Sequence, residues 1–355
     1  MTATPMRPRD TVLITGGAGF IGTNLADSLL TQGRRVRLLD TLTRPGTEQN
    51  LAWLSARHGS RLQFIRADIR DAAAVRTATA GVGMVFHFAA QVAVTTSLET
   101  PADDFSVNAA GTVTLLEALR RHGRRAGVVF TSTNKVYGAL DDVTLTESAT
   151  RYSPAGALAK TGIGESRALC FHSPYGCSKG AADQYVLDYA RSFGLPSAVF
   201  RMSCIYGPHQ HGTEDQGWVA HFLIRAIENM PISIYGNGRQ VRDLLFVEDL
   251  VAAFQSAERH LDDIAGEAFN IGGGPANTVS LNELIDGITE LRGVRPEIRH
   301  DKWRVGDQRW YVSDHSKFTG TTGWRPRMSV NEGVRRLHDW LTADHSSAAM
   351  VAAAE

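Results

Sequence analysis

Thr11-Val12-Leu13-Ile14-Thr15-Gly16-Gly17-Ala18-Gly19-Phe20-Ile21-Gly22 is the stretch that decides the fold. A short β-branched and aliphatic run stops at a cluster of glycines, after which Leu25, Leu29 and Leu30 recur at helical spacing. The stretch reads as strand, glycine turn, helix. Gly16 permits the tight turn, Gly19 lets the backbone approach a pyrophosphate at the helix N-terminus, and Gly22 lets the helix pack closely on the strand. The next strand, Arg35 to Leu39, ends in Asp40, roughly 20 residues farther on, where a carboxylate accepts hydrogen bonds from a ribose diol. An acid there repels a 2′-phosphate, which predicts NAD rather than NADP as the cofactor.

Outward from this unit the chain repeats strand then helix. Further strands are predicted at Leu62 to Ala67, Met84 to His87, Val128 to Ser132 and Ser197 to Met202, and helices across Asp103 to His122 and Pro174 to Phe193. This alternation predicts an α/β fold with a Rossmann-type, doubly wound parallel sheet. Beyond about Tyr206 the pattern loosens. Short strands near Ile232 to Tyr235 and Phe269 to Ile271 separate helices at Leu281 to Leu291 and Val330 to Leu341. The expected division is a NAD-binding domain over 1–205, a smaller C-terminal substrate-binding lobe over 206–341 with the chain crossing between the two, and a frayed tail over 342–355.

Composition narrows the class. The chain has 355 residues, 43% hydrophobic, enough for one large α/β unit or two subdomains. Its 37 basic and 37 acidic residues balance, so neither a nucleic-acid groove nor an anionic membrane surface is expected as a partner. No stretch is apolar enough to span a bilayer, and Met1 to Asp10 lacks the hydrophobic run of a signal peptide. Cys170, Cys177 and Cys204 cannot all pair and show no metal spacing, which fits a reducing cytoplasm.

Tyr175-Gly-Cys-Ser-Lys179 puts a phenol and an ammonium one turn apart on one helix face. A neighbouring cation stabilises a phenolate, so such a tyrosine can serve as a base well below its usual range near pH 10. It would take a hydroxyl proton while hydride leaves the same carbon for a nicotinamide. The spacing is common by chance and gains its meaning from the glycine turn.

Taken together, Thr15 to Gly22, Asp68-Ile69, Phe88-Ala89-Ala90-Gln91, Val136-Tyr137-Gly138 and Tyr175 to Lys179 resemble the extended short-chain dehydrogenase/reductase family, specifically its NAD-dependent sugar-nucleotide epimerases and dehydratases. The resemblance covers nearly the whole chain. It implies a catalytic triad of Thr133, Tyr175 and Lys179, a homodimer, and a nucleotide-diphosphate sugar as substrate. It also implies cofactor contacts from Phe20 and Ile21 beside the glycines, from Asp68 and Ile69 at the adenine, from Phe88, Ala89, Ala90 and Gln91 on the nicotinamide side, and from Asn108.

The residues after Thr133 bear on the reaction. Dehydratases of the family place an Asp-Glu pair there, because elimination needs an acid for the leaving hydroxyl and a base for the carbon-bound proton. This chain has Asn134-Lys135, and an asparagine transfers no proton. Epimerisation needs only oxidation, rotation and reduction. By position, Arg242 and Arg304 match guanidiniums that clamp a diphosphate, a task suited to the bidentate fork, while Tyr235 with Asn237 resembles the segment packed on the nucleotide base. Gln91 and Asn134 complete the implied substrate contacts. Ser132 to Gly138, His172 to Tyr185, Asp215 to Val219 and Gly238 to Asp243 resemble the CDP-paratose 2-epimerase (CDP-tyvelose 2-epimerase) subgroup, which implies inversion at carbon 2 of a CDP-paratose, CDP-glucose or GDP-sugar type substrate. A 4-epimerase, another NAD-dependent redox enzyme of the family, or a non-catalytic NAD sensor is the alternative.

The remaining polar residues are read blandly. His209 and His211 lack a third ligand at metal spacing, and no metal is expected. Cys177 is expected to pack, and Trp53, Trp324 and Trp340 to sit in the core or at a lobe edge, with Trp218 a possible exception in a substrate loop.

Overall fold

The predicted first unit forms a strand at Thr11–Thr15, a turn, and a helix at Phe20–Thr31. In this computed structural model residues 11–122, 126–304 and 306–352 are described, 344–352 by their backbone alone. Seven strands make one sheet, in the order Ala268–Ile271, Ser197–Met202, Gly127–Thr133, Val82–His87, Thr11–Thr15, Val36–Asp40, Leu62–Arg66. Every neighbouring pair is parallel. Parallel strands need helical crossovers, so both faces are covered and the strands read as aliphatic runs. One face packs Leu25, Leu29, Phe254 and Phe269, and the other packs Leu115, Leu116, Val186 and Tyr189. Each such side chain contributes roughly 1.5–3 kcal/mol when removed from water.

The winding direction reverses at the first strand, whose two neighbours are Val36–Asp40 and Val82–His87. Ligands of doubly wound sheets bind outside the carboxyl ends of the strands at such a switch point. Gly16, Asp40 and Phe88 lie at the ends of those three strands, so the sheet itself gathers them.

Three features differ from the sequence reading. The helix expected from Asp103 begins at Pro101 and contains a π-helical turn at Ser106–Ala110 before continuing as Gly111–Arg121. The strand Ala268–Ile271 lies far beyond residue 206 yet pairs with Ser197–Met202 at the edge of the large sheet. The last helix runs Val330–Ala352, across most of the segment expected to fray. Residues 1–10 and 353–355, about which expectations were also stated, lie outside the described residues.

The rest of the second half builds smaller sheets. Val241–Phe246 pairs with Thr278–Ser280, Trp310–Tyr311 and Cys204–Tyr206, while Ile232–Tyr235 pairs with Ile298–Asp301. Leu223, Ile234, Leu284, Ile288 and Leu337 fill the core beneath them. A Ser280/Glu283 capping box starts the helix Leu281–Arg292. The segment after the short strand Tyr152–Pro154 docks on this half: Tyr152 N donates to Arg239 O at 2.9 Å, and Ile163 N to Val312 O at 2.7 Å.

Candidate active site

The glycine turn has room for a phosphate backbone and for nothing larger than hydrogen on its own side chains. A Cβ at Gly16, where φ is +65°, would lie 2.8 Å from Ala89 N, and one at Gly22 would lie 2.5 Å from Gly16 O. Gly19 caps the helix Phe20–Thr31 without a side chain, leaving N–H groups directed out of the helix end. At the end of the second strand Asp40 is buried, and its two oxygens accept from Ala18 N at 3.0 Å and Leu42 N at 2.9 Å. Each oxygen keeps a lone pair for a ribose hydroxyl. The cradle, the helix end and this carboxylate fit NAD. Of the expected adenine contacts, Ile69 is buried against the backbone of Gly111, whereas Asp68 is paired with Arg70 at 2.7 Å.

His87 ties the cradle to the opposite wall. Thr112 Oγ1 donates to Asn108 O at 2.6 Å, so it accepts from His87 Nε2 at 3.0 Å, and His87 Nδ1 in turn accepts from Thr15 Oγ1 at 2.6 Å. The ring is therefore neutral. Burial, helped by the charge of Lys179, pushes it down to about 3. Thr15 Oγ1 accepts from Phe88 N and Ala89 N, both at 3.2 Å, fixing the loop that leads to Ala90 and Gln91. The Gln91 side chain is spent on that loop: Oε1 accepts from Ala93 N at 2.6 Å and Nε2 donates to Ala93 O at 2.8 Å. Asn108 sits in the π-turn, fully buried, with Oδ1 accepting from Gln91 N at 2.9 Å and Nδ2 3.0 Å from Ser178 Oγ. Both residues hold backbone and helix in place on this side of the fold.

Thr133 ends its strand and Tyr175 and Lys179 lie on the helix Ser173–Phe193, which packs against that strand. The structure brings the three together, but their ionisation differs from expectation. Lys179 is buried, its Nζ donating to Thr131 O at 2.5 Å and lying 4.2 Å from the centre of the Phe130 ring. Burial pushes it down to about 7, while Asp183 and Asp104 act to raise it. Burial pushes Tyr175 up to about 12, opposed by the Thr133 hydroxyl and Arg44 and aided by Asp104. The phenol is thus not lowered by Lys179 here, whose ammonium is turned to the Thr131 carbonyl.

Asn134 and Lys135 are drawn into the second half of the chain. Asn134 Nδ2 donates to Gln308 Oε1 at 3.0 Å, and Gln308 Nε2 donates to Gly138 O at 2.6 Å. Lys135 Nζ donates to Gly306 O at 3.1 Å and lies 3.6 Å from Asp307 Oδ1. Arg242 is buried and meets the same oxygen at 2.7 Å. Arg304 lies 3.9 Å from the centre of the Tyr235 ring, donates to Glu214 O at 3.2 Å and pairs with Asp215 at 3.3 Å. Tyr235 donates to Glu214 Oε1 at 2.6 Å, and Asn237 Nδ2 donates to Tyr152 Oη at 2.8 Å. Of the two expected diphosphate arginines, Arg242 therefore meets Asp307 and Gln308 next to the Asn134 amide, whereas Arg304 is held by Tyr235, Glu214 and Asp215.

Sequence reasoning missed Gln308, Asp307 as a partner, Asp104 and Arg44. Arg44, four residues past Asp40, acts electrostatically on both Asp40 and Tyr175, and its spacing from Asp40 was the available signal. Cys177 is exposed, not packed, because its side chain leaves the face shared by Tyr175 and Lys179 for solvent. Trp218 donates from Nε1 to Cys204 Sγ at 3.4 Å and packs edge-on against Phe222, so it belongs to the core edge. His209 lies with its ring centre 4.2 Å from that of Trp53, tilted at 45°, and among the described residues no metal-binding group of three or more His, Cys, Asp or Glu exists.

The profile of the NAD dependent epimerase/dehydratase family matches residues 12–272. The chain is 43% identical to CDP-paratose 2-epimerase of Salmonella typhi, over 94% of this chain and 99% of the relative. It is 32% identical to a putative UDP-glucose 4-epimerase of Methanocaldococcus jannaschii, over 93% and 98% of the two chains. A solved structure of UDP-glucuronic acid 4-epimerase from Bacillus cereus, with UDP-glucuronic acid and NAD, superimposes with a TM-score of 0.81 at 27% identity, covering 94% of this chain and 99% of that one. With that family profile matched over residues 12–272 and a relative 43% identical over 94% of this chain, the chain belongs to the NAD dependent epimerase/dehydratase family.

Proposed function

We propose that the protein inverts carbon 2 of a nucleotide-diphosphate hexose of the CDP-paratose or CDP-tyvelose type by oxidation, rotation and reduction. The observation that carries this reading is the Asn134–Gln308 pair beside Thr133: the position where elimination would need a proton donor holds an amide already committed to a second amide. The 43% identity to a CDP-paratose 2-epimerase supports the carbon and the nucleotide.

The glycine turn, Asp40 and the Phe88 to Ala90 wall would hold NAD, which when bound supplies a reversible hydride acceptor. The chain's own residues supply the proton chemistry. Thr133 Oγ1 hydrogen-bonds the reacting hydroxyl and orients it toward Tyr175. Tyr175 Oη takes the hydroxyl proton and returns it after the 2-keto sugar has presented its other face. A cation beside the phenol is needed for this step, since desolvation alone holds Tyr175 at about 12. Lys179, within one turn, is that cation once it leaves the Thr131 carbonyl. Arg242 and Arg304 retain the diphosphate while the sugar turns.

In this reading residues 1–205 chiefly bind the cofactor and 206–341 the substrate. A cytoplasmic homodimer completes it, supported by exposed Leu98, Phe105 and Tyr185 on helices that pack together on one flank. None of the described helices is long and apolar enough to cross a membrane.

Incubation with CDP-paratose, CDP-glucose, UDP-glucose and GDP-mannose, read by proton NMR, tests the reaction. Inversion at carbon 2 is expected. Inversion at carbon 4 alone, or stoichiometric NADH release, overturns it in favour of a 4-epimerase or a net dehydrogenase.

A further inference from the structure

Lys135 is a charged side chain that the reaction above does not use. It follows Thr133 by two residues and reaches across to Gly306 and Asp307, in the strap 301–308. Its partners are a carbonyl, Gly306 O, and a carboxylate it does not hold alone: Asp307 Oδ1 lies 3.6 Å from Lys135 Nζ and 2.7 Å from Arg242 Nη2. Two cations thus converge on one oxygen of one anion. Burial lowers Lys135 from the usual lysine range, with Asp307 raising it and Arg242 lowering it further. Burial and the two cations act on Asp307 in opposite senses, and the cations win, holding it below the usual carboxylate range.

A single carboxylate between a lysine and an arginine leaves one unit of positive charge uncompensated by that pair. Charge of that sign, partly buried and shared with Arg242, attracts an anion with several oxygens. We propose that Lys135 is a third cation of the nucleotide-diphosphate site, and that a substrate phosphate takes the position Asp307 Oδ1 holds between Lys135 and Arg242. The inference rests on the sugar-nucleotide reading and adds a residue to it. Lys135 thereby has a role that the exchange of an elimination base for a cation makes possible: it holds a substrate phosphate while the sugar rotates. Asp307 acts as the internal stand-in that keeps the Arg242 guanidinium and the Lys135 ammonium in place between turnovers.

The test is calorimetric titration of the NAD-loaded protein with CDP, UDP, GDP and dTDP, and with cytidine as the uncharged control. The tightest diphosphate is expected to bind Lys135→Met about tenfold or more weakly than wild type, with Lys135→Arg recovering most of the loss. Cytidine affinity and bound NAD are expected to be unchanged, which separates a phosphate contact from misfolding. Equal diphosphate affinity in wild type and Lys135→Met overturns the role of Lys135 while leaving the substrate class intact. Binding of none of the four diphosphates to wild type overturns the substrate class and the inference together.

Discussion

Asn134 and Gln308, 174 residues apart in sequence, meet through an amide-to-amide hydrogen bond of 3.0 Å beside Thr133. Gln308 is fully buried, and its nitrogen also holds Gly138 O. The catalytic strand end and the strap are therefore one unit, and the position of Thr133 depends on residues from the far end of the chain.

Replacing Gln308 by Leu leaves the Asn134 amide and the Gly138 carbonyl without partners in a buried place. A loss of about 1–3 kcal/mol in unfolding free energy is expected from urea denaturation. Turnover should fall more than NAD affinity, since the strap lies on the substrate side. An unchanged denaturation midpoint would contradict the structural role of the pair.

Tyr175→Phe keeps the ring and removes the proton-transferring oxygen. Turnover is expected to fall by about 10²- to 10⁴-fold, with NAD still retained after gel filtration. Near-normal epimerisation in this variant would remove Tyr175 from the mechanism.

Burial pushes Lys179 down to about 7, below the ordinary lysine value of 10.5. A cation whose pKa is lower in the folded state binds fewer protons there than in the unfolded chain. Between these two values stability therefore rises with pH, and below about 7 the full cost of burying the charge applies. In NAD-free protein, the stability of wild type relative to Lys179→Met should increase as pH is raised from about 7 to 9. A pH-independent difference would show that Lys179 is not desolvated as described.

Asp104 is fully buried beneath the catalytic helix, accepting from Ser178 Oγ at 2.5 Å and Asn108 Nδ2 at 3.2 Å. Its charge raises both Lys179 and Tyr175. Asp104→Asn preserves size and removes that charge, so the acidic limb of the activity profile should move to lower pH as Tyr175 becomes easier to ionise. A limb that stays in place, with only an overall loss of rate, would leave Asp104 a packing role.

The first strand, the glycine turn and Asp40 were legible because the strand and turn are local and the helix cap follows from the glycines. The spacing of Tyr175 and Lys179 was legible for the same reason. Their protonation was not, since it depends on how much water the folded chain removes from each. Gln91 and Asn108 fit a cofactor pattern by position, yet their amides are consumed by Ala93, Ser178 and the Gln91 backbone. Asp307, Gln308 and Lys135 acquire meaning only from contacts distant in sequence, beyond the reach of any periodicity: Arg242 Nη2 to Asp307 Oδ1 spans 65 residues and Lys135 Nζ to Gly306 O spans 171.

The edge strand Ala268–Ile271 gives the molecule a particular evolutionary grammar. Because the chain leaves the large sheet after Met202 and must come back to finish it, the intervening segment behaves as an insertion within the cofactor-binding half. Cutting the gene near residue 205 would strip the sheet of its final strand and expose Ser197–Met202 as a new, aggregation-prone edge.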